Sequence, residues 1–366
     1  MNKLAIIGAS YLQLPLIRKA KSLGFETHVF AWAVNDVGEA EADFFYPISI
    51  VEKDQILEKC KEIGICGICS IASDLASITV NYVADKMGLV GNSMDATMKS
   101  TNKHLMRLAF EKCGDPSPKS ILVDEGIDFS KLNVDYPVIV KPLDRSGSRG
   151  ITKLQSEEGL PEAVKYAMQE GFQRQALIEE FAEGREYSVE CISYRGEHYF
   201  LAMTTKFTTG APHFVETGHI EPADVTGEIL DKVKKVVYHA LDSLGIENGA
   251  SHSELKIDDS GNIKLIEIGG RMGGDCIGSH LVYYSTGIDF VKAVIDVACG
   301  KEPDLMQCIV PQKVGVQFII EKDDLQKLEK VRQENRLIEL VNYQPEKIGK
   351  MTDSSNRAGC FVYRMC

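Results

Sequence analysis

A chain of 366 residues is long enough to bury two or three hydrophobic cores. Apolar residues at 44% and charged residues at 26% are ordinary for a globular protein, and the net charge of −12 argues against a nucleic acid or an anionic membrane as partner. No stretch approaches the roughly 18 apolar residues of a membrane span, and Met1–Gly8 is too short in apolar residues for a signal peptide.

The first part of the chain, up to about residue 95, alternates strand and helix signals. Leu4–Ile7 reads as a buried strand, Leu12–Leu23 as a helix and Glu26–Phe30 as a second strand. Gln55–Ile63 reads as a helix, Gly67–Ile71 as a strand and Ala76–Met87 as a helix. That βαβ order predicts a parallel, doubly wound sheet. Gly8-Ala9-Ser10 stands where a dinucleotide fingerprint would begin, but Ser10 and Gln13 occupy the places of its second and third glycines, which argues against a nicotinamide cofactor. Cys66-Gly67-Ile68-Cys69 has redox or zinc spacing, yet no second pair or histidine follows at a matching interval. With Cys60 it reads as core, and reduced thiols imply the cytoplasm.

From Thr101 the texture changes. Asn102–Cys113 is an amphipathic helix carrying Lys103 and Arg107 one turn apart, ended by Pro116 and Pro118. Pro137–Pro142 is a strand with Lys141 near its end. The loop 144–150 follows, in which Ser146, Gly147, Ser148 and Gly150 expose backbone N–H groups beside Arg145 and Arg149, a composition suited to polyphosphate oxygens. Pro161–Glu170 reads as a helix, Ala176–Phe181 and Glu186–Ser193 as strands, Lys232–Leu244 as a long helix and Asp289–Cys299 as another. After about residue 305 a small βα tail is expected, with strand Val314–Ile320 and helix Leu325–Val331.

His252–Ile257 and Leu265–Gly270 alternate apolar and polar residues, and Asp258–Asn262 between them reads as a turn. A four-residue turn there sets Glu254 directly opposite Glu267. Like charges placed opposite each other are destabilising, so the pair calls for a third party, most simply a magnesium ion shared with phosphates. Upstream, Glu216 and His219 lie three apart in a polar, glycine-bounded stretch read as a loop. A carboxylate can hold an amino group there, and a histidine can accept a proton or bind a carboxylate. His252 reads as packed in the sheet.

Taken in order, Lys103, Lys141 with its glycine loop, Glu179-Glu180-Phe181 with Glu186, then Glu254, Glu267 and Arg271 closely resemble the ATP-grasp superfamily over about residues 1–300. The resemblance implies a doubly wound pre-ATP-grasp domain over 1–98, a two-lobed ATP-grasp domain over 99–304 with its lid lobe at about 117–187, and a small C-terminal subdomain over 305–366. It implies that Lys103 and Lys141 contact the phosphates of ATP, and that loop 144–150 is the phosphate lid. The backbone of Glu179, Glu180, Phe181 and Ala182 would read the adenine edge, with Glu186 on the ribose. Glu254 and Glu267 would hold magnesium, with manganese as the alternative ion. The family usually adds an asparagine ligand two residues after the second glutamate, where this chain has Gly269.

The Glu216-x-x-His219 motif, with Arg271 four residues past the second metal glutamate, resembles bacterial L-amino-acid ligases of the dipeptide-forming kind. Arg271 would steady the acyl-phosphate or the tetrahedral intermediate. The resemblance implies an ATP-dependent carboxylate–amine ligase acting on small-molecule carboxylate and amine substrates in the cytoplasm, with no nucleic-acid or membrane partner and with room for a homodimer. The alternatives are a purine-pathway or carboxylase-like ATP-grasp enzyme, or an ATP-binding regulatory protein without turnover, to which only Gly269 points.

Overall fold

The computed structural model describes residues 2–144, 149–210, 214–351 and 353–365. Three sheets organise the described residues. Strands β1 (Lys3–Ile7), β2 (Glu26–Phe30), β3 (Phe44–Tyr46) and β4 (Gly67–Cys69) form a parallel sheet in the order β3-β2-β1-β4. Parallel strands are buried on both faces, which is why β1 reads as an unbroken apolar run. Leu4 and Ile6 pack toward helices Leu14–Ser22 and Phe290–Ala298. Ala5 and Ile7 pack on the opposite face, toward helices Lys53–Ile63 and Asp74–Met87. At the turn after β1 the Gln13 side chain accepts from the Ser10 hydroxyl at 2.7 Å and donates to the Ile71 carbonyl at 2.8 Å. The turn is thus filled from within.

The second sheet is antiparallel. It contains β5 (Ser120–Val123), β6 (Val138–Pro142), β7 (Thr152–Leu154) and β8 (Ala176–Glu180) in the order β5-β8-β6-β7, with helix Leu160–Glu170 packed against it. The third has eight antiparallel strands. They are β9 (Arg185–Tyr194), β10 (Glu197–Thr208), β11 (Glu216–Glu221), β12 (Gly249–Ile257), β13 (Ile263–Gly269), β14 (Val314–Phe318), β15 (Leu337–Val341) and β16 (Cys360–Arg364), ordered β13-β12-β9-β10-β11-β14-β16-β15. Helices Lys103–Cys113 and Gly227–Leu244 cover one part of this sheet through Phe110, Val237 and Leu241. Residues 305–366, expected as a small C-terminal unit, supply three strands of this same sheet through the β11–β14 ladder. Among the described residues no helix is long and apolar enough to cross a membrane.

Two sequence expectations need correction here. Glu216–Glu221 is strand β11 and not a loop. Its sequence has one large apolar residue in six and so carries no alternation. It is a strand because β10 and β14 satisfy its backbone on both sides. The glutamate hairpin is closed by five residues, Asp258–Asn262, and not four. Ile257 pairs with Ile263 and Leu255 with Leu265, then the register shifts so that Glu254 meets Glu267. Ile266 is the extra residue of a β-bulge, and the bulge is what brings the two carboxylates face to face.

Glu221, at the end of β11, is fully buried, with its carboxyl 2.6 Å from the Ser285 hydroxyl and 2.5 Å from that of Thr204. Burial outweighs those hydrogen bonds and pushes its pKa up to about 7. An acid whose folded pKa is raised costs stability once the unfolded chain ionises, near pH 4.5, and the full cost is present above about pH 7. That cost is on the order of 3 kcal/mol. Glu221→Gln is expected to raise the thermal midpoint by about 2–5 °C at pH 8 and by much less at pH 5, measured in paired melts. An equal change at both pH values would show that Glu221 is not buried as a neutral acid.

Candidate active site

Of the charged groups that the sequence singles out and the structure describes, all but Arg107 line one cleft of about 730 Å³ between the second and third sheets, with the first sheet at its rim. Each is placed by a local rule. Asn102 caps its helix by accepting from the N–H groups of His104 and Leu105, so Lys103 opens the first turn and Arg107 follows one turn later. Lys141 lies on β6, antiparallel to Glu179 on β8. On β9 and β12 the register sets Ser188 opposite Glu254 and Glu190 opposite His252.

One end of the cleft is built from interlocked ion pairs. Lys141 Nζ lies 2.6 Å from Glu179 Oε2, and Arg107 Nε lies 2.9 Å from Glu179 Oε1. Burial pushes the Glu179 carboxyl up, but Arg107 and Lys141 outweigh it and hold the pKa at about 2. Burial also lowers the Lys141 ammonium despite Glu179 beside it. Arg107 Nη2 donates to the Ile266 carbonyl at 2.6 Å, the group that the bulge turns outward. Lys103 Nζ reaches Glu267 Oε1 at 3.0 Å.

Glu179 was expected to lend its backbone to adenine. Its side chain pairs with Lys141 and Arg107. Glu180 pairs with Lys264, both oxygens at 2.8 Å. The Phe181 N–H already donates to the Pro137 carbonyl at 3.1 Å, so it is not free to read a base. The Phe181 ring carries the Lys153 and Lys256 ammoniums at 3.3 and 4.8 Å from its centroid. Ala182 and Glu186 line the cleft as expected. Of the lid candidates, Gly150 is described and buried with φ +67°, whereas Ser146, Gly147 and Ser148 lie outside the described residues.

The centre of the cleft belongs to a residue that sequence reasoning missed. Lys206 on β10 is 7% exposed, with its ammonium 2.5 Å from Glu254, 3.2 Å from Glu186 and 3.7 Å from Glu216. Burial works against its charge, but the three carboxylates hold its pKa well above the usual lysine value. Burial likewise raises Glu254, and Lys206 with His252 pulls it well below the carboxylate range. The available signal was a single lysine inside a long apolar and threonine-rich run, Tyr199–Thr208.

His252, read as packed, is buried and also engaged. Its Nδ1 contacts Glu190, and its Nε2 lies 3.4 Å from Glu254. Against the cost of burial, the carboxylates raise its pKa to about 9. Glu190 in turn accepts from the Gly273 N–H at 2.9 Å, which ties the glycine-rich turn after β13 to the sheet. Arg271 forks onto Asp74 of the first domain, Nε to Oδ1 at 2.8 Å and Nη2 to Oδ2 at 3.0 Å. Asp74 also explains Gly269, since a Cβ at 269 would stand 2.7 Å from Asp74 Oδ1. The space of the missing asparagine is filled by the Asp74–Arg271 pair.

Glu216 and His219 are both brought into the cleft, though on a strand. His219 is 1% exposed, packs edge-on against Phe318 at 5.3 Å, and neither ring nitrogen has a hydrogen-bond partner among the described residues. Burial, and then Lys206, drop its pKa to about 3. It is therefore a neutral imidazole with one donor and one acceptor on offer. The expected proton acceptor is a poor base in this setting.

Residues 134–279 match the family model described as an ATP-grasp domain. The chain carries an ATP-grasp domain. Its sequence is 28% identical to alanine–anticapsin ligase of Bacillus subtilis over 321 residues, which are 76% of this chain and 66% of that protein. The match therefore spans just under two thirds of that relative's length. It is also 28% identical to D-alanine–D-alanine ligase of Haemophilus ducreyi over 70% of this chain and 88% of that protein. In fold it superimposes on the L-amino acid ligase from Bacillus licheniformis with a TM-score of 0.84 and 22% identity, covering 100% of this chain and 93% of that one. The expected ATP-grasp architecture is what the chain adopts.

Lys206 neutralises three carboxylates, so its loss leaves uncompensated charge in a buried place, worth roughly 3–5 kcal/mol. The Glu254 carboxylate, held well below the usual range, stabilises the fold above about pH 4.5 and loses that contribution as pH falls below it. Lys206→Met is thus expected to melt well below the unsubstituted protein at pH 7.5, with the gap unchanged down to about pH 4.5 and narrowing only below it. A gap that stays constant with pH would mean that the lysine does not neutralise the cluster.

Proposed function

We propose that the protein is an ATP-dependent carboxylate–amine ligase that forms an amide or peptide bond through an acyl-phosphate, with an amino acid among its substrates. The observation that carries this reading is the continuity of one cleft. Lys103, Lys141 and the Glu254/Glu267 pair stand at one end, and Glu216, His219 and Arg271 adjoin them with no wall between. The two ligase relatives, both named for alanine substrates, support the same chemistry. Nine free cysteines among the described residues and the need for ATP fit a cytoplasmic location.

Glu254 and Glu267 fit magnesium. They offer oxygen donors only, they are paired across the ladder, and each side chain keeps about a quarter of its surface open to the cleft. Magnesium is commonly held by one or two carboxylates together with substrate phosphates, so a third protein ligand at position 269 is dispensable. When bound there it would supply charge neutralisation on the transferring phosphoryl group. Lys206 and Lys103 neutralise the same carboxylates in its absence, and phosphates entering the cleft would draw Lys103 and Lys141 toward them.

The chain's own residues do the rest by position and charge. Lys141 and Lys103 hold the phosphates in line with the incoming carboxylate. The carboxylate oxygen attacks the γ-phosphorus and ADP leaves. Arg271, oriented by Asp74, faces the charge that develops when an amine attacks the acyl carbon and phosphate departs. His219, neutral and unpartnered, offers a hydrogen bond to a substrate and not to ATP.

Two variants test the assignment. Glu267→Gln is expected to abolish phosphate release, a loss of at least about 100-fold, while the thermal midpoint stays close to that of the parent protein. Normal phosphate release from that variant would remove Glu267 from the metal site. His219→Ala is expected to lose ligase turnover yet bind a non-hydrolysable ATP analogue with unchanged affinity in calorimetry. If nucleotide binding falls and substrate preference persists, β11 belongs to the ATP site.

A further inference from the structure

Nine residues other than glycine hold a positive φ among the described residues, and five of them line the cleft. Two of the five are consecutive. Asp275 (φ +52°) and Cys276 (φ +63°) lie in the turn that leads from Arg271 to the short helix Ile277–Leu281. Backbone strain of this kind persists only where the surroundings over-determine it, and it clusters at ligand clamps and switch regions.

Two contacts tie this turn to the last strand. Asp275 Oδ1 accepts from Arg357 Nη2 at 2.6 Å, and Cys276 Sγ lies 3.8 Å from Cys360 Sγ. Cys360 opens β16 and is held by ladders on both sides, opposite Phe318 of β14 and Val341 of β15. The two cysteines are 3% and 4% exposed, yet both line the cleft. Tyr11, from the turn after β1, stands beside the same group: burial, then Asp275 and Cys360, push its pKa upward. Cys66 and Cys299 also share a hydrogen bond, but neither lines the cleft.

Two thiols in contact at a cleft wall are the reactants of one two-electron oxidation, for which a small hydroperoxide is the oxidant. One sulfur attacks a peroxide oxygen and becomes a sulfenic acid, and water leaves. The second sulfur attacks the first and expels the hydroxyl as another water. Two thiols and one hydrogen peroxide thus give one disulfide and two waters. The hydrogen bond with Cys360, and then burial, hold the Cys276 thiol well above the usual range, so Cys360 makes the first attack and Cys276 the second. Closure brings the sulfurs about 1.8 Å nearer, from 3.8 Å to about 2.05 Å. With Cys360 fixed in two ladders, the turn takes the movement, and Arg271 lies in that turn. A misplacement of about 1 Å can cost roughly 100-fold in rate.

We propose that Cys276 and Cys360 are a redox pair, which a hydroperoxide oxidises to a disulfide that locks the turn 270–276 onto β16 and halts turnover until a thiol reductant reopens it. Disulfides in reducing compartments are commonly of this transient, sensing kind.

The test treats the whole, fully reduced protein with hydrogen peroxide, blocks the remaining thiols and maps the peptides by mass spectrometry. A Cys276–Cys360 cross-link is expected, with amide exchange over residues 270–276 slowed about 10-fold and both changes reversed by dithiothreitol. Phosphate release from ATP with pooled amino acids is expected to fall at least about 10-fold and to recover on reduction. Cys360→Ala should bind a non-hydrolysable ATP analogue like the parent and lose all three responses; if it does not fold, Cys276→Ala serves the same comparison. Cys276 and Cys360 left uncross-linked at a peroxide dose that oxidises the exposed Cys113 and Cys308 would overturn the proposal. So would a cross-link that leaves exchange and turnover unchanged, or inactivation that persists in the variant. A reduced protein without turnover counts against the ligase reading alone, because the cross-link and the exchange are read without it.

Discussion

The antiparallel ladder between β12 and β13 forces two carboxylates, Glu254 and Glu267, to face each other across a half-open cleft. Like charges at that spacing repel, and the repulsion has to be met by cations. Lys206 and His252 meet it on the Glu254 side, and Lys103 meets it on the Glu267 side. Each of these cations is buried and therefore needs anions of its own. Lys206 recruits Glu186 and Glu216, and His252 recruits Glu190. The charge lattice of the cleft grows outward from one pair. It also stores what catalysis needs, because the same oxygens and ammoniums can exchange partners when a phosphate and a divalent cation enter.

Three separate stretches of chain converge on that lattice because of topology. The helix Phe290–Ala298 is apolar nearly all round, and it is clamped between the first sheet and the large one. That packing holds Asp74 against Arg271. Strands β14, β15 and β16 extend the large sheet and deliver Arg357 and Phe318 to the far end of the cleft. One end of the cleft is thus assembled by turns of the first sheet and the last strands together, whereas the other is built from the middle of the chain.

Much of this was legible in the sequence, and the reasons are local. The parallel sheet followed from unbroken apolar strands alternating with amphipathic helices. Glu254 and Glu267 were found because a hairpin leaves few registers, even though a bulge at Ile266, invisible in composition, is what sets the one observed. Lys103, Lys141, Glu186 and Arg271 came from a family resemblance carried by their order and spacing, and all four line the cleft. What stayed hidden depends on partners far along the chain. β11 has no apolar rhythm, since its stability comes from ladders on both sides. β10 is buried on both faces through its middle, so it shows no alternation that would advertise Lys206. Arg357 lies in a polar stretch without motif, and only the β14–β16 pairing gives it a place. His219 was found, but its neutral state follows from burial that no local window reports.

Gly269 carries a consequence of another kind. The Asp74 carboxylate and a side chain at 269 compete for one volume, and Asp74 is in turn the anchor of Arg271. A side chain at 269 can enter only if the Asp74–Arg271 fork shifts from its present place. Exchange between the two arrangements therefore cannot proceed by a single neutral substitution. Replacing Gly269 first drives a side chain into Asp74, and replacing Asp74 first strands a buried guanidinium. The two positions are 195 residues apart in sequence, yet they can change only together. The coupling ties the turn after β13 to the helix that Asp74 opens, whatever substrate the cleft takes.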